Sequence, residues 1–110
     1  MRIPAFIFTC AGLLLSPLAQ AKAVDLRCEL GRQVSVAGDV HMDNAIDLNW
    51  KGKHYRMQRV STSTGAQRFE DQGSGLVWIS IPSKAMLLDT VRGEPVANEC
   101  RAASMDRVLR

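Results

Sequence analysis

Residues 45–60 read AIDLNWKGKHYRMQRV, and this stretch decides the fold. Its apolar residues fall on every second position on both sides of the sequence KGK at 51–53. This is the pattern of two half-buried strands joined by a tight turn. We therefore predict a hairpin in which residues 45–50 pair antiparallel with residues 53–60.

The same alternation recurs outward from this hairpin. Val34 and Val36 alternate with polar neighbours upstream, and downstream a short segment centred on Phe69 precedes the most apolar run, LVWISI at 76–81. An apolar run at 85–88 follows, and a Gly- and Pro-containing turn separates it from Val96, Ala97 and Cys100. Seven or eight strands with turns every ~8–12 residues predict an all-β fold, a small antiparallel barrel or sandwich. Closure into a barrel of about eight strands would leave no exposed sheet edge.

The first 21 residues have the features of a secretory signal peptide. Arg2 supplies a basic start, Ile3 to Leu18 are almost wholly apolar, and an A-x-A cleavage pattern ends at Ala21. The apolar run is shorter than the ~20 residues that cross a bilayer, so no membrane span is expected. Cys10 lies inside the run with no small-residue box before it, so no lipid anchor is expected. We predict a leader at 1–21, cleaved after Ala21 or, at a second similar pattern, after Ala23, and a mature domain at 22–110.

Composition allows one small domain, because the whole chain has 110 residues and 46% of them are hydrophobic. It has 14 Lys+Arg and 11 Asp+Glu, and loss of Arg2 with the leader leaves a formal charge of +2. This charge is too small and too dispersed to indicate a nucleic-acid partner. Residues 101–110 contain Met105, Val108 and Leu109, and form either a helical turn packed on an open end of the barrel or a frayed tail.

Two cysteines, Cys28 and Cys100, remain after the leader is removed. An even number in a chain exported to an oxidising compartment predicts one disulfide. The closed loop would span about 72 residues, which corresponds to about 4.4 kcal/mol of chain entropy removed from the unfolded state.

Catalytic and metal-binding patterns are weak. Asp39, His41 and Asp43 would share one side of an extended strand, a spacing that could hold a metal ion, but we interpret them as part of an exposed strand beside a turn. The run at 61–64 has no nucleophile motif, although a triad built from Ser63, His54 and an aspartate would be invisible in sequence. We therefore expect a binding or inhibitory module with no metal, no cofactor and no enzymatic activity.

A family resemblance emerges from the order of these features. The chain combines LRCE at 26–29, the alternating hairpin, STGAQRF at 63–69, LVWIS at 76–80, KAML at 84–87 and VANEC at 96–100. It resembles the bacterial inhibitors of c-type lysozyme, which occur in membrane-bound and periplasmic forms. The resemblance implies an eight-stranded barrel that inserts two loops into the lysozyme cleft, in the periplasm of a Gram-negative cell.

The resemblance also implies which residues contact lysozyme. Thr64-Gly65 stands where the family has Ser-Gly, with Ser63 as the alternative hydroxyl donor, and Phe69 stands for the Tyr of the same motif. In the second loop Ile81-Pro82 replaces the family's Lys-Gly, so that Ser83 and Lys84 become the candidates, with Lys84 as the nearest cation. A hydroxyl and an ammonium placed against the two catalytic carboxylates would disable a glycosidase of this type.

Two other functions stay open on the sequence. One is a periplasmic barrel without inhibitory activity that binds a small ligand in an apolar cavity lined by Trp50, Tyr55, Trp78 and Met86. The other is a small hydrolase that uses the Ser/Thr run with His54 as the base.

Overall fold

The computed structural model describes residues 23–102. They form a closed antiparallel barrel in which each strand pairs with the next along the chain and the last pairs with the first. A short 3-10 helix covers Glu29–Gly31. The strands are β1 (Ala23–Arg27), β2 (Gln33–Ala37), β3 (Ala45–Trp50), β4 (Lys53–Val60), β5 (Gln67–Asp71), β6 (Leu76–Ser80), β7 (Ala85–Asp89) and β8 (Glu94–Ala102). The predicted all-β class and the barrel of about eight strands are confirmed.

The hairpin predicted from residues 45–60 has the expected bounds and register. β3 and β4 pair from Ala45 with Gln58 to Trp50 with Lys53. The connecting residues Lys51 and Gly52 both have positive φ, 52° and 78°. This is the backbone of a two-residue turn whose twist matches that of the flanking strands, which explains why the sequence places glycine there.

The barrel closes along a short seam between its first and last strands. β1 and β8 share two register pairs, Leu26 with Ala102 and Arg27 with Arg101. The next position along this ladder is occupied by the Cys28–Cys100 disulfide, with an S–S distance of 2.06 Å. The predicted disulfide is therefore confirmed, and it extends the seam covalently.

The interior is filled by the apolar side chains of the alternating pattern. Phe69 and Trp78 oppose each other on β5 and β6 and are 0% and 1% exposed. No polar or charged residue within 23–102 is buried. The core comprises Val34, Val36, Ile46, Leu48, Trp50, Met57, Phe69, Leu76, Trp78, Ala85, Leu87, Ala97 and Cys100.

Three details differ from the sequence prediction. The segment 23–27 forms β1, a strand that the sequence pattern does not predict separately. Asp39, His41 and Asp43 do not share one side of an extended strand, because they lie in a turn in which the Asp43 amide donates to the Asp39 carbonyl at 2.9 Å. The strand expected at 76–81 ends at Ser80.

The predicted leader at 1–21 and most of the C-terminal segment, residues 103–110, lie outside the described residues. Within 23–102, no helix has the length and apolar character needed to cross a membrane.

The alternating strand directions divide the connections between two ends of the barrel. One end carries the connections 38–44, 61–66 and 81–84, and we call it the loop end. The opposite end carries 28–32, 51–52, 72–75 and 90–93, and we call it the turn end.

Candidate functional site

The two loops singled out in the sequence lie side by side at the loop end. Loop 61–66 connects β4 to β5, and loop 81–84 connects β6 to β7. Gln67, which follows the first loop, pairs with Ser80, which precedes the second. Directly paired residues are about 5 Å apart, so the bases of the two loops are immediate neighbours.

Loop 61–66 is held by its own side chains. The Thr62 hydroxyl donates to the Ala66 carbonyl at 2.8 Å, and the Ala66 amide donates to Thr64 Oγ1 at 3.4 Å. Ser63, Thr64 and Gly65 at the tip are exposed. Because Thr64 accepts a hydrogen bond within the loop, its own hydroxyl proton remains available to a partner.

Phe69 has a different place from the one the resemblance implies. It is fully buried between the strands and belongs to the central core. An aromatic ring in that position cannot reach another protein's surface while the barrel is folded. Phe69 is therefore a core residue, because the alternation of β5 turns it to the same interior as Trp78.

Loop 81–84 is closed by a backbone hydrogen bond from the Ile81 amide to the Lys84 carbonyl at 2.9 Å. Ser83 is exposed. Lys84 Nζ donates to Glu99 Oε2 at 2.7 Å, and the Lys84 side chain keeps 40% of its surface exposed. An ammonium has three donors, so this contact orients Lys84 without using all of its hydrogen-bonding capacity.

Glu99 reaches Lys84 because β8 is irregular at this point. The β7–β8 register shifts between the pairs Ala85–Cys100 and Leu87–Ala97, and Glu99 has a φ of 53°. A bulge of this kind re-aims a side chain by breaking the regular alternation. Sequence reasoning missed Glu99, because neither its residue type nor its neighbours indicate a bulge.

Glu99 lies between two cations. Arg101 Nη2 is 3.5 Å from Glu99 Oε1, on the other side from Lys84. The hydrogen bond from Lys84 lowers the pKa of Glu99 below its ordinary value of 4.5, and the charges of Lys84 and Arg101 act in the same direction against the opposing effect of burial. The carboxylate is therefore ionised, and the Lys84–Glu99 pair is intact at neutral pH.

An apolar depression lies beside this pair on the outer wall of the barrel. It has a volume of about 270 Å³ and includes Ile79, Ile81, Met86 and the stem of Lys84. Ile81 is 41% exposed. The Lys84 ammonium thus has an exposed apolar surface beside it, part of it supplied by Ile81.

Arg59 is a second residue that sequence reasoning missed. Its guanidinium donates to the Val40 and Asp43 carbonyls at 2.7 Å each and to the Gln67 side chain, and it stacks 4.7 Å from the centre of the Phe69 ring. It therefore joins loop 38–44 to the base of loop 61–66. In sequence Arg59 is one member of a basic stretch, and only the barrel register brings its partners to it.

The metal and hydrolase patterns do not come together. Within residues 23–102, no group of three or more His, Cys, Asp or Glu side chains is arranged to hold a metal ion. His54 Nε2 lies 3.0 Å from Asp47 Oδ1 at the start of β4, whereas Ser63 follows the end of that eight-residue strand. The imidazole and the loop hydroxyl are thus at opposite ends of the barrel.

Trp50, Tyr55, Trp78 and Met86, which would line the apolar cavity of the ligand-binding alternative, do not face one common space. Trp78 pairs with Leu87 and faces the interior, so Met86, the neighbour of Leu87 on β7, faces the outer wall. Trp50 and Trp78 are core residues, 9% and 1% exposed. The expectation failed at Met86 because the run AMLL does not reveal which of its apolar residues point inward.

Comparisons of the chain with protein-family models, with curated proteins and with solved structures find no match.

Proposed function

We propose that this protein is a periplasmic inhibitor of c-type lysozyme that binds the enzyme's active-site cleft with its loop end. The observation that carries the proposal is the adjacency of loops 61–66 and 81–84, fixed by the Gln67–Ser80 pair. A cleft can be filled by two projecting loops only if they lie next to each other on one rigid support. Such preorganisation also limits the ordering entropy lost on binding.

The chemistry of the two loops supports the same target. Lysozyme catalysis depends on two carboxylates that flank the scissile bond. The Thr64 and Ser63 hydroxyls on one loop and the Lys84 ammonium on the other are donors suited to those acceptors. Binding there excludes the sugar chain and protects peptidoglycan, and it requires no catalysis by the inhibitor.

Lys84 is held by Glu99 in the free protein, and this contact shapes its role. The 2.7 Å hydrogen bond ties the Lys84 ammonium to the Glu99 carboxylate on β8. The remaining donors of the Lys84 ammonium are open to a second carboxylate. Lys84 therefore binds a lysozyme carboxylate while it keeps its hydrogen bond to Glu99. The interface then contains one ammonium between two carboxylates, with the apolar surface of Ile81 beside it.

Long-range attraction contributes little to this encounter. The mature chain carries a formal charge of +2, and many c-type lysozymes are themselves basic, so net charge does not steer association. Affinity must come from the local fit of the two loops. We therefore expect binding that depends strongly on single loop residues.

The test is titration calorimetry of residues 22–110 with a c-type lysozyme, using loop variants and matched controls. Lys84→Met is expected to weaken binding about 30-fold or more, as found when one partner of a desolvated charge pair is removed. Lys53→Met makes the same charge change at the turn end and should leave binding unchanged. Thr64→Ala should also weaken binding, and Gln72→Ala at the turn end should not. Equal effects of Lys84→Met and Lys53→Met would contradict the assignment of the loop end.

A further inference from the structure

A pocket opens at the loop end inside the rim of the barrel, separate from the tips of the two loops. Its volume is about 400 Å³, within the range of small-molecule sites, and barrel mouths are a common location for such sites. We call it the mouth pocket. Its main lining residues are Val24, Leu26, Val36, Asp39, Trp78 and Ser80.

The side chains of β1 that face the interior are those of Val24 and Leu26, and both are apolar and only partly covered. Val24 pairs with Val36, and Leu26 pairs with Val34. Because Val34 and Val36 are buried in the core, their partners on β1 lie on the same interior face. Val24 is nevertheless 47% exposed. An inward-facing valine at the mouth thus retains apolar surface that an occupant of the pocket can bury.

Two polar groups lie at the rim. Ser80 is two residues after Trp78 on β6 and therefore shares its interior face, and its hydroxyl has no hydrogen-bond partner within residues 23–102. The Asp39 carboxylate is held in place because its Oδ1 accepts hydrogen bonds from the His41 and Met42 amides at 2.8 and 3.2 Å. None of the residues that line the pocket is a lysine or an arginine.

We propose that the mouth pocket binds a small cationic amphiphile. Its aliphatic part lies against Val24 and Leu26, over the buried Trp78, and its ammonium group lies at the rim near Asp39, with the Ser80 hydroxyl as a further acceptor. The only charged side chain among the lining residues is the carboxylate of Asp39, and this selects a cationic head group. This binding is independent of the proposed lysozyme inhibition, because it uses the mouth of the barrel and neither loop tip.

The test compares three probes that share one chain length and differ in head group: decylammonium, decanol and decanoate. Each is titrated calorimetrically into the purified residues 22–110, below the concentration at which the probe forms micelles. We expect saturable one-to-one binding in the order decylammonium, decanol, decanoate. The advantage of the cation over the alcohol should be up to about fivefold, the range measured for exposed charge pairs.

Matched variants assign the head-group contact. Asp39→Asn removes the charge while its side-chain oxygen still accepts the turn hydrogen bonds, so decylammonium should weaken to the level of decanol. Asp43→Asn makes the same charge change in the same loop at a residue outside the pocket lining, and it should leave the order unchanged. Trp50→Phe leaves Trp78 as the only tryptophan, so its fluorescence should respond to each probe that binds.

Several results would overturn the proposal. Decanoate binding as tightly as decylammonium would remove the role of Asp39, as would an unchanged order in Asp39→Asn. Absence of saturable binding to the unaltered protein would reject the site without reliance on any variant. Binding that occurs only after residues 103–110 are deleted would assign the pocket to that segment of the chain.

Discussion

Replacing both Cys28 and Cys100 with serine should lower the thermal midpoint more than any other conservative change in the barrel. The disulfide closes a loop with a sequence separation of 72 residues. The chain-entropy relation gives about 4.4 kcal/mol for such a loop at 25 °C. For a domain of this size, 1 kcal/mol corresponds to about 4–8 °C, so we expect the midpoint to fall by about 18–35 °C.

The position of the bond explains why its loss should be felt across the whole fold. Besides the disulfide, β1 and β8 are joined by two register pairs, Leu26–Ala102 and Arg27–Arg101. The other neighbouring strands share three to six pairs. The β1–β8 seam is therefore the place where the barrel opens most easily, and an opened barrel exposes two strand edges.

The assay is thermal unfolding followed by circular dichroism, with and without dithiothreitol. Reduction should lower the midpoint of the unaltered protein to that of the double serine variant, and dithiothreitol should have no effect on the variant itself. A thermal midpoint of the double serine variant less than about 5 °C below that of the unaltered protein would refute the claim that the disulfide holds the β1–β8 seam. A lower thermal midpoint of the double serine variant in dithiothreitol would show that the reductant acts on something other than the disulfide.

Three further predictions concern local interactions. Arg59→Ala should lower the free energy of unfolding, measured by chemical denaturation, by about 1–3 kcal/mol, because it leaves the Val40 and Asp43 carbonyls without their donor. Arg59→Lys should recover less than half of that loss, and full recovery by lysine would contradict the forked contact. Gly52→Ala should cost about 1 kcal/mol in the same assay, because its φ of 78° strains any other residue, and an unchanged stability would argue against this turn. The side-chain carboxyl of Glu99 should titrate below pH 4.5 by NMR, and Lys84→Met should raise its midpoint. Because this pKa is lowered in the folded state, the Lys84–Glu99 pair contributes to stability above about pH 4.5, and the contribution is lost as the pH falls through the folded-state pKa. A titration midpoint of Glu99 above 4.5 would contradict the lowered pKa.

The sequence predicted the parts of the fold that are specified by alternation and turn residues within one segment, or by the cysteine count. The β3–β4 hairpin followed from strict alternation around Lys51-Gly52, and the positive φ of both residues shows that turn chemistry and strand pattern specify the same register. The disulfide followed from the even number of cysteines that remain once the predicted leader is removed. Both inferences rest on information within the segment or on composition, and neither needs the three-dimensional neighbours.

The remaining features depend on which strand lies beside which. Glu99 meets Lys84 through a bulge in β8, and Arg59 meets loop 38–44 across the barrel rim. The resemblance places Phe69 in a contacting loop, whereas β5 turns its ring into the interior opposite Trp78. Contacts between distant segments are set by closure and register, which no single stretch of sequence encodes.

The central claim is that the loop end occupies the catalytic cleft of c-type lysozyme, and the most direct test is inhibition kinetics. Lysis of bacterial cell walls by lysozyme would be followed at several substrate concentrations in the presence of residues 22–110. We expect competitive inhibition, in which the apparent KM rises and kcat is unchanged, with the Lys84→Met variant much weaker than Lys53→Met. Undiminished lysis at high micromolar concentrations of the folded, disulfide-bonded protein would contradict the account.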